Sequence, residues 1–173
     1  MTIDDRDFFF LTEALPELQE YLLSNQLYWP LSASQPRLTP GAVFLALTRL
    51  QVKLPSDAQT LQQQLESIRV KWRAAWEKKV AREISNRLLL WSNFLSDYQN
   101  APEQGADAYL SEVRGRVILQ LLTLETSDFP EKTTLAELDS ALKPSLRPCE
   151  FLWDGSLQAV FPKADYWFLY GKL

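Results

Sequence analysis

The chain has 173 residues, 46% hydrophobic and 23% charged, with a net charge of −4, one cysteine and no histidine. That length and balance suit a single folded domain with a sizeable core and argue against a disordered or strongly basic chain. Without histidine a Ser-His-Asp or Cys-His mechanism is excluded, and with Cys149 alone so are an intrachain disulfide and a Cys-rich zinc site.

The N-terminal segment is acidic: Asp4, Asp5, Asp7, Glu13, Glu17 and Glu20 precede residue 37 with Arg6 as the only cation among them. This acidic start points away from a secretory leader, and no apolar run approaches the roughly 18–20 residues of a membrane span, so a cytoplasmic protein without a membrane partner is expected. Leu15, Leu18, Tyr21 and Leu22 recur at helical spacing. Pro16 suits the first turn of a helix running to about Ser24, because an interior proline removes a hydrogen bond. Residues 28–40, YWPLSASQPRLTP, carry three prolines and no helical period, which predicts an extended connection. Thr39-Pro40 then reads as an N-cap followed by proline at the first helical position. Val43, Phe44, Leu47 and Leu50 give that helix its apolar stripe, and Pro55 ends it.

Ser56 and Gln59 have capping-box spacing, and from there to Gln99 no proline or glycine occurs. An unbroken helix over 56–99 would be on the order of 60 Å long at 1.5 Å per residue. A compact domain of this size is only about 40 Å across. The helix therefore breaks, with Ser85-Asn86 the weakest point, or it protrudes and packs on another chain. Asn100–Gly105 reads as a turn. A helix from about Ala106 to Glu125 follows, with Leu110, Val113, Val117, Leu121 and Leu124 as its stripe and Ile118 and Leu122 widening it. Gly115 inside it costs about 1 kcal/mol relative to alanine, which close approach of another backbone could offset. Thr134 and Glu137 begin a short helix that stops before Pro144. Residues 151–161, centred on Asp154-Gly155, read as a tight β-hairpin, and the aromatic tail from Ala164 adds a strand or caps the core. The fold class expected is mainly α: five or six helices, one long and central, with a small C-terminal β-hairpin. Residues 1–55 hold acidic helices and the proline-rich connection, 56–126 an antiparallel helix pair, and 127–173 the short helix, hairpin and tail.

The central helix is the chain's most distinctive stretch. At about 100° per residue, Leu61, Leu65, Ile68, Trp72, Trp76, Val80, Trp91, Phe94 and Tyr98 share one sector. Lys71, Lys78 and Arg82 lie opposite. Arg69, Glu83 and Arg87 are charged residues inside the apolar sector. Glu83 and Arg87 have ion-pair spacing, and Arg69 can cover an indole face. Either the arginine stems pack on the rings while their heads pair locally, or Arg69, Trp72, Trp76, Glu83, Arg87 and Trp91 form a face that binds a protein partner or a second copy, as in a homodimer.

Residues 69–87 hold seven cations and two acids, so Arg69, Lys71, Arg73, Lys78, Lys79 and Arg82 form an alternative anion-binding set for nucleic acid or a phosphate ligand. The chain's net negative charge weighs against it, and the acidic N-terminal segment could neutralise the basic helix within the fold or between two chains. An enzyme would have to use carboxylates. Asp4, Asp5 and Asp7 read as solvating charge, and Glu137 and Asp139, two apart on a helix, do not face each other. The glycines are too scattered for a nucleotide loop, so no cofactor and no metal are expected. A non-catalytic interaction or scaffold module is the functional expectation.

Overall fold

The computed structural model describes residues 3–126 and 129–173, with side chains from Arg6 onward. The described residues are mainly helical, with six α-helices and one two-stranded antiparallel pair near the C-terminus. None of these helices is long and apolar enough to cross a membrane. The chain forms two compact units, Met1–Glu83 and Ile84–Leu173.

The first unit holds α1 (Ile3–Leu23), α2 (Pro40–Lys53), α3 (Pro55–Lys71) and the start of α4 (Arg73–Asn100), which continues into the second unit. Its core gathers Leu11, Leu18, Tyr21, Val43, Leu45 and Leu65. The α2 helix is buried almost all round from Pro40 to Leu47, so its N-terminal amides are remote from water and need protein acceptors. Thr39 caps it as expected, accepting from the Ala42 N–H at 3.1 Å. The proline-rich connection is pinned by paired backbone bonds between Trp29 and Leu38, at 3.1 and 2.8 Å.

Pro16 lies inside α1 and not in its first turn. It and Thr12 are both exposed, so water can hydrate the Thr12 carbonyl that proline leaves without its usual donor. The long central helix does break, but at Trp72 (φ −117°, ψ 36°), while Ser85 and Asn86 stay helical. The ladder resumes at once, with the Trp76 N–H donating to the Trp72 carbonyl at 2.9 Å. At 28 residues, α4 is about 42 Å long. The expected capping box at Ser56 is not used: α3 begins one residue earlier with Pro55 at its first position and Leu54 before it, without a side-chain cap.

The second unit holds the rest of α4, α5 (Pro102–Leu124), α6 (Lys132–Leu142), β1 (Arg147–Pro148) and β2 (Gly171–Lys172). Only Ala101 separates α4 from α5, so the turn expected over 100–105 is mostly the first turn of α5. Pro102 needs no N–H there. A Cβ on Gly105 would meet Tyr98 Cδ2 at 2.7 Å and Tyr98 Cα at 3.0 Å, so glycine is what permits so tight a helix–helix connection. Gly115 is the reverse case: a Cβ there meets nothing within 4 Å, and the close backbone approach expected of it is absent.

The buried side of α5 is rotated from the expected stripe. Val113, Val117, Ile118 and Leu122 are buried as expected and Tyr109 and Arg116 join them, whereas Leu110 and Leu124 are exposed. Apolar spacing missed part of the face because an arginine and a tyrosine occupy it, each with a polar partner inside this unit. The α6 helix starts at Lys132, two residues before the expected Thr134, and its first turn has no side-chain cap.

The C-terminal strands pair Arg147 with Lys172 and Pro148 with Gly171. The ladder is extended by the Cys149 N–H to the Tyr170 carbonyl (3.1 Å) and the Leu152 N–H to the Leu169 carbonyl (2.9 Å). The tail therefore supplies the second strand, and 151–161 is not itself the hairpin. Asp154 instead accepts from the Ser156 N–H at 2.8 Å and opens a short 3-10 helix, Gly155–Ala159. Between the strands, Phe161, Tyr166 and Phe168 stack edge to face in the core of this unit.

Candidate functional site

In the first unit, α4 delivers a row of charged side chains into the protein. Glu83 is fully buried. Its carboxylate accepts from the Thr39 hydroxyl at 2.7 Å and from the Gly41 N–H at 2.8 Å, placing a negative charge at the N-terminus of buried α2. This is where an anion is best held, facing orphan amides and the positive end of the helix dipole. One turn earlier, Lys79 is buried at 2% exposure. Its ammonium donates to the carbonyls of Ser24 and Gln26 and lies 4.2 Å from the centre of the Tyr21 ring. Arg82 donates to the Asn25 carbonyl at 3.1 Å. Together the two cations close the C-terminal end of α1, where unpaired carbonyls attract positive charge. Burial, with Arg82 and Lys78 nearby, pulls the Lys79 ammonium down to about 8.

Arg69 follows the local-pairing alternative. It bonds Glu66 at 2.6 Å, and its guanidinium sits 5.1 Å from the Trp76 ring centre and 5.4 Å from that of Phe44. Trp76 and Phe44 are themselves edge to face at 5.5 Å. Trp72 is half-buried at the helix break, with the Lys71 ammonium over its ring at 5.5 Å. Arg73 is exposed and bridges to Glu77 at 2.9 Å, which raises its pKa, and Lys78 is exposed. Trp76 and Trp91 are both buried, Trp76 among residues of the first unit and Trp91 among those of the second.

The acids of α1 find partners that spacing could not name. Asp7 is buried and forms a two-pronged pair with Arg49 of α2, so it does not act as solvating charge. Glu13 accepts from the backbone N–H and hydroxyl of Ser32, and Glu17 accepts from the Trp29 indole. Neutralisation thus runs between α1 and α2 and into the connection, while Lys79 and Arg82 serve backbone carbonyls. The side chains of Asp4 and Asp5 lie outside the described residues.

In the second unit, Arg116 escaped the sequence reading. It is buried, bonds both oxygens of Asp139 at 3.1 and 2.8 Å, reaches Gln120 at 3.1 Å, and lies 4.3 Å from the centre of the Phe168 ring. The available signal was an arginine three residues after Val113 on the same helix face. Tyr109 donates to the Phe168 carbonyl at 2.7 Å, and its burial raises its pKa. Burial likewise pushes Tyr166 up to about 12.

The accessible feature of this unit is a groove along α4 and α5. Arg87, Trp91 and Arg114 line a cavity of about 190 Å³. Phe94, Asp97, Asn100 and Gln104 line another of about 730 Å³. Leu90 and Glu112 line both, so the two adjoin. Leu90 is 51% exposed, and Leu89 beside it is exposed too. Trp91 stacks on Phe94 at 5.4 Å beneath them, and its buried Nε1 has no acceptor among the described residues. Two members of the expected partner face, Arg87 and Trp91, thus belong to this groove, while Arg69, Trp76 and Glu83 are packed within the first unit. Among the described residues, no three His, Cys, Asp or Glu side chains converge as a metal site. In comparisons with known proteins, no family model, no curated protein and no solved structure matches the chain.

Proposed function

We propose that the protein is a non-catalytic protein–protein interaction module whose contact surface is the α4–α5 groove. The observation that carries this reading is Leu90: a large apolar side chain half open to water, standing where two adjoining cavities meet. Exposed apolar surface rimmed by polar groups is the usual mark of a binding surface. Beneath it the rings of Trp91 and Phe94 give a rigid apolar floor, and Arg87, Arg114 and Asp97 give a charged rim that sets orientation.

The test is photo-crosslinking of the full chain in cell extract, with the reactive residue at position 90 or, as control, at Val70. Val70, on α3, is more exposed still and is not among the residues that line the groove. A discrete protein adduct from position 90 and none from position 70 is expected. Absence of any adduct at position 90 overturns the reading.

A further inference from the structure

Resting on the interaction reading above, we propose that the partner in the groove is a second copy of this chain, related by a two-fold axis that runs the two grooves antiparallel. The groove is polarised. Arg87 and Arg114 stand at one end, and Asp97, with Asn100 and Gln104, at the other. On α4 the positive and negative ends are ten residues apart, about 15 Å at 1.5 Å per residue. A two-fold interface demands a surface that complements itself, in which residue i meets j and j meets i. A two-fold axis crossing α4 midway between Arg87 and Asp97 brings each arginine end over the partner's Asp97 end, twice per dimer. A parallel, in-register pairing sets arginine on arginine and carboxylate on carboxylate, which the charge pattern disfavours.

The apolar groups fall where that axis needs them. Leu90 lies within a turn of the midpoint, so the leucines of the two copies meet near the axis and cover each other's exposed surface. Ala101 and Ala108 on the walls keep the side chains there short and leave room for a partner helix. Glu112 lines both cavities and stands with the arginine end of its own chain, so it too meets the partner's Asp97 end, where Arg87 and Arg114 outnumber it two to one. Asp97 is exposed and so open to such a partner.

The experiment measures solution mass by sedimentation velocity, over a concentration series of the full chain, for the wild type and two charge reversals. Wild-type protein is expected at twice the 20.0 kDa chain mass. Arg87→Glu and Asp97→Arg alone should each weaken the dimer by at least about tenfold, since each sets like charges together at both contacts. An equimolar mixture of the two variants should recover dimers, because every contact in the mixed pair is again opposite in sign. A misfolded variant could not be rescued in this way. A wild type that stays monomeric at about 100 μM, variants that dimerise like wild type, or a mixture that stays monomeric overturns the proposal. The crosslinking experiment separates the two levels. An adduct of any mass other than a doubled chain removes self-association and leaves the interaction reading, and no adduct removes both.

Discussion

Glu83 gives the most direct test of how the first unit holds together. The perturbation is Glu83→Ala. It removes a fully buried carboxylate that accepts from Thr39 Oγ1 at 2.7 Å and from the Gly41 N–H at 2.8 Å. Hydrogen bonds to a charged group contribute about 1.5–3 kcal/mol each, so the gross loss is about 3–6 kcal/mol. Relief of the carboxylate's desolvation offsets part of it, and the orphaned amide and the small cavity add to it. A net destabilisation of about 3–4 kcal/mol is expected. Glu83→Gln keeps an acceptor but loses the charge facing the helix dipole, and should cost about 1–2 kcal/mol. Thr39→Ala removes both the cap to Ala42 and the donor to Glu83, for a further 1–2 kcal/mol or about that. Because Thr39 and Glu83 share a bond, the double variant should show coupling of about 1 kcal/mol. Urea unfolding followed by circular dichroism and tryptophan fluorescence measures all four, with Trp76 reporting from the same unit. A Glu83→Ala cost below about 1 kcal/mol with no coupling to Thr39 would refute the claim that this carboxylate anchors α2.

Four other outcomes follow from the structure. Lys79 titrates near 8 in the fold and at its ordinary 10.5 when unfolded, so between those values the unfolded chain binds more protons and stability rises with pH. Urea midpoints should climb from pH 7.5 to 9.5, and the climb should vanish in Lys79→Met; an equal climb in both rules Lys79 out as its source. Tyr109 and Tyr166 act oppositely, since they stay protonated in the fold above pH 10 while unfolded tyrosine ionises, so stability falls there. Gly115→Ala should raise stability by about 1 kcal/mol because its Cβ meets open space, whereas Gly105→Ala should lower it by a similar amount or more against the Tyr98 backbone; thermal melts with equal signs for the two refute this account. Asp139→Ala strands the buried Arg116 charge and should cost about 3–5 kcal/mol, while Arg116→Met with Asp139→Leu should recover most of it. A double variant as unstable as Asp139→Ala contradicts that.

Local rules carried the start of α2 a long way. Thr39-Pro40 specifies a cap and a first turn through groups three residues apart, and both form. The same holds for the end of α2 before Pro55 and the end of α6 before Pro144. Where local rules failed, a competing group lay outside the window. Pro16 is tolerated inside α1 because that face is wet. The central helix breaks at Trp72, a residue with good helix-forming neighbours, and nothing in its immediate sequence marks it. Sector arithmetic singled out Arg69 and Glu83 as charges within an apolar face, while the count of cations over 69–87 grouped Lys79 with the anion-binding set.

What the sequence alone determined is therefore the kind of structure: mainly helical, with no histidine chemistry, with charged residues set among tryptophans along one helical stretch, and with a small antiparallel pair at the C-terminal end. Those features follow from periodicity, composition and near-neighbour bonds, which act over a few residues. Only the tertiary structure decided what each buried charge meets. Glu83 reaches a helix start 42 residues away, Lys79 a chain segment more than 50 residues away, and Arg116 a carboxylate 23 residues on. A buried charge is stable only beside its partner, and which residue arrives beside it is settled by how helices pack, over distances that no periodic pattern records.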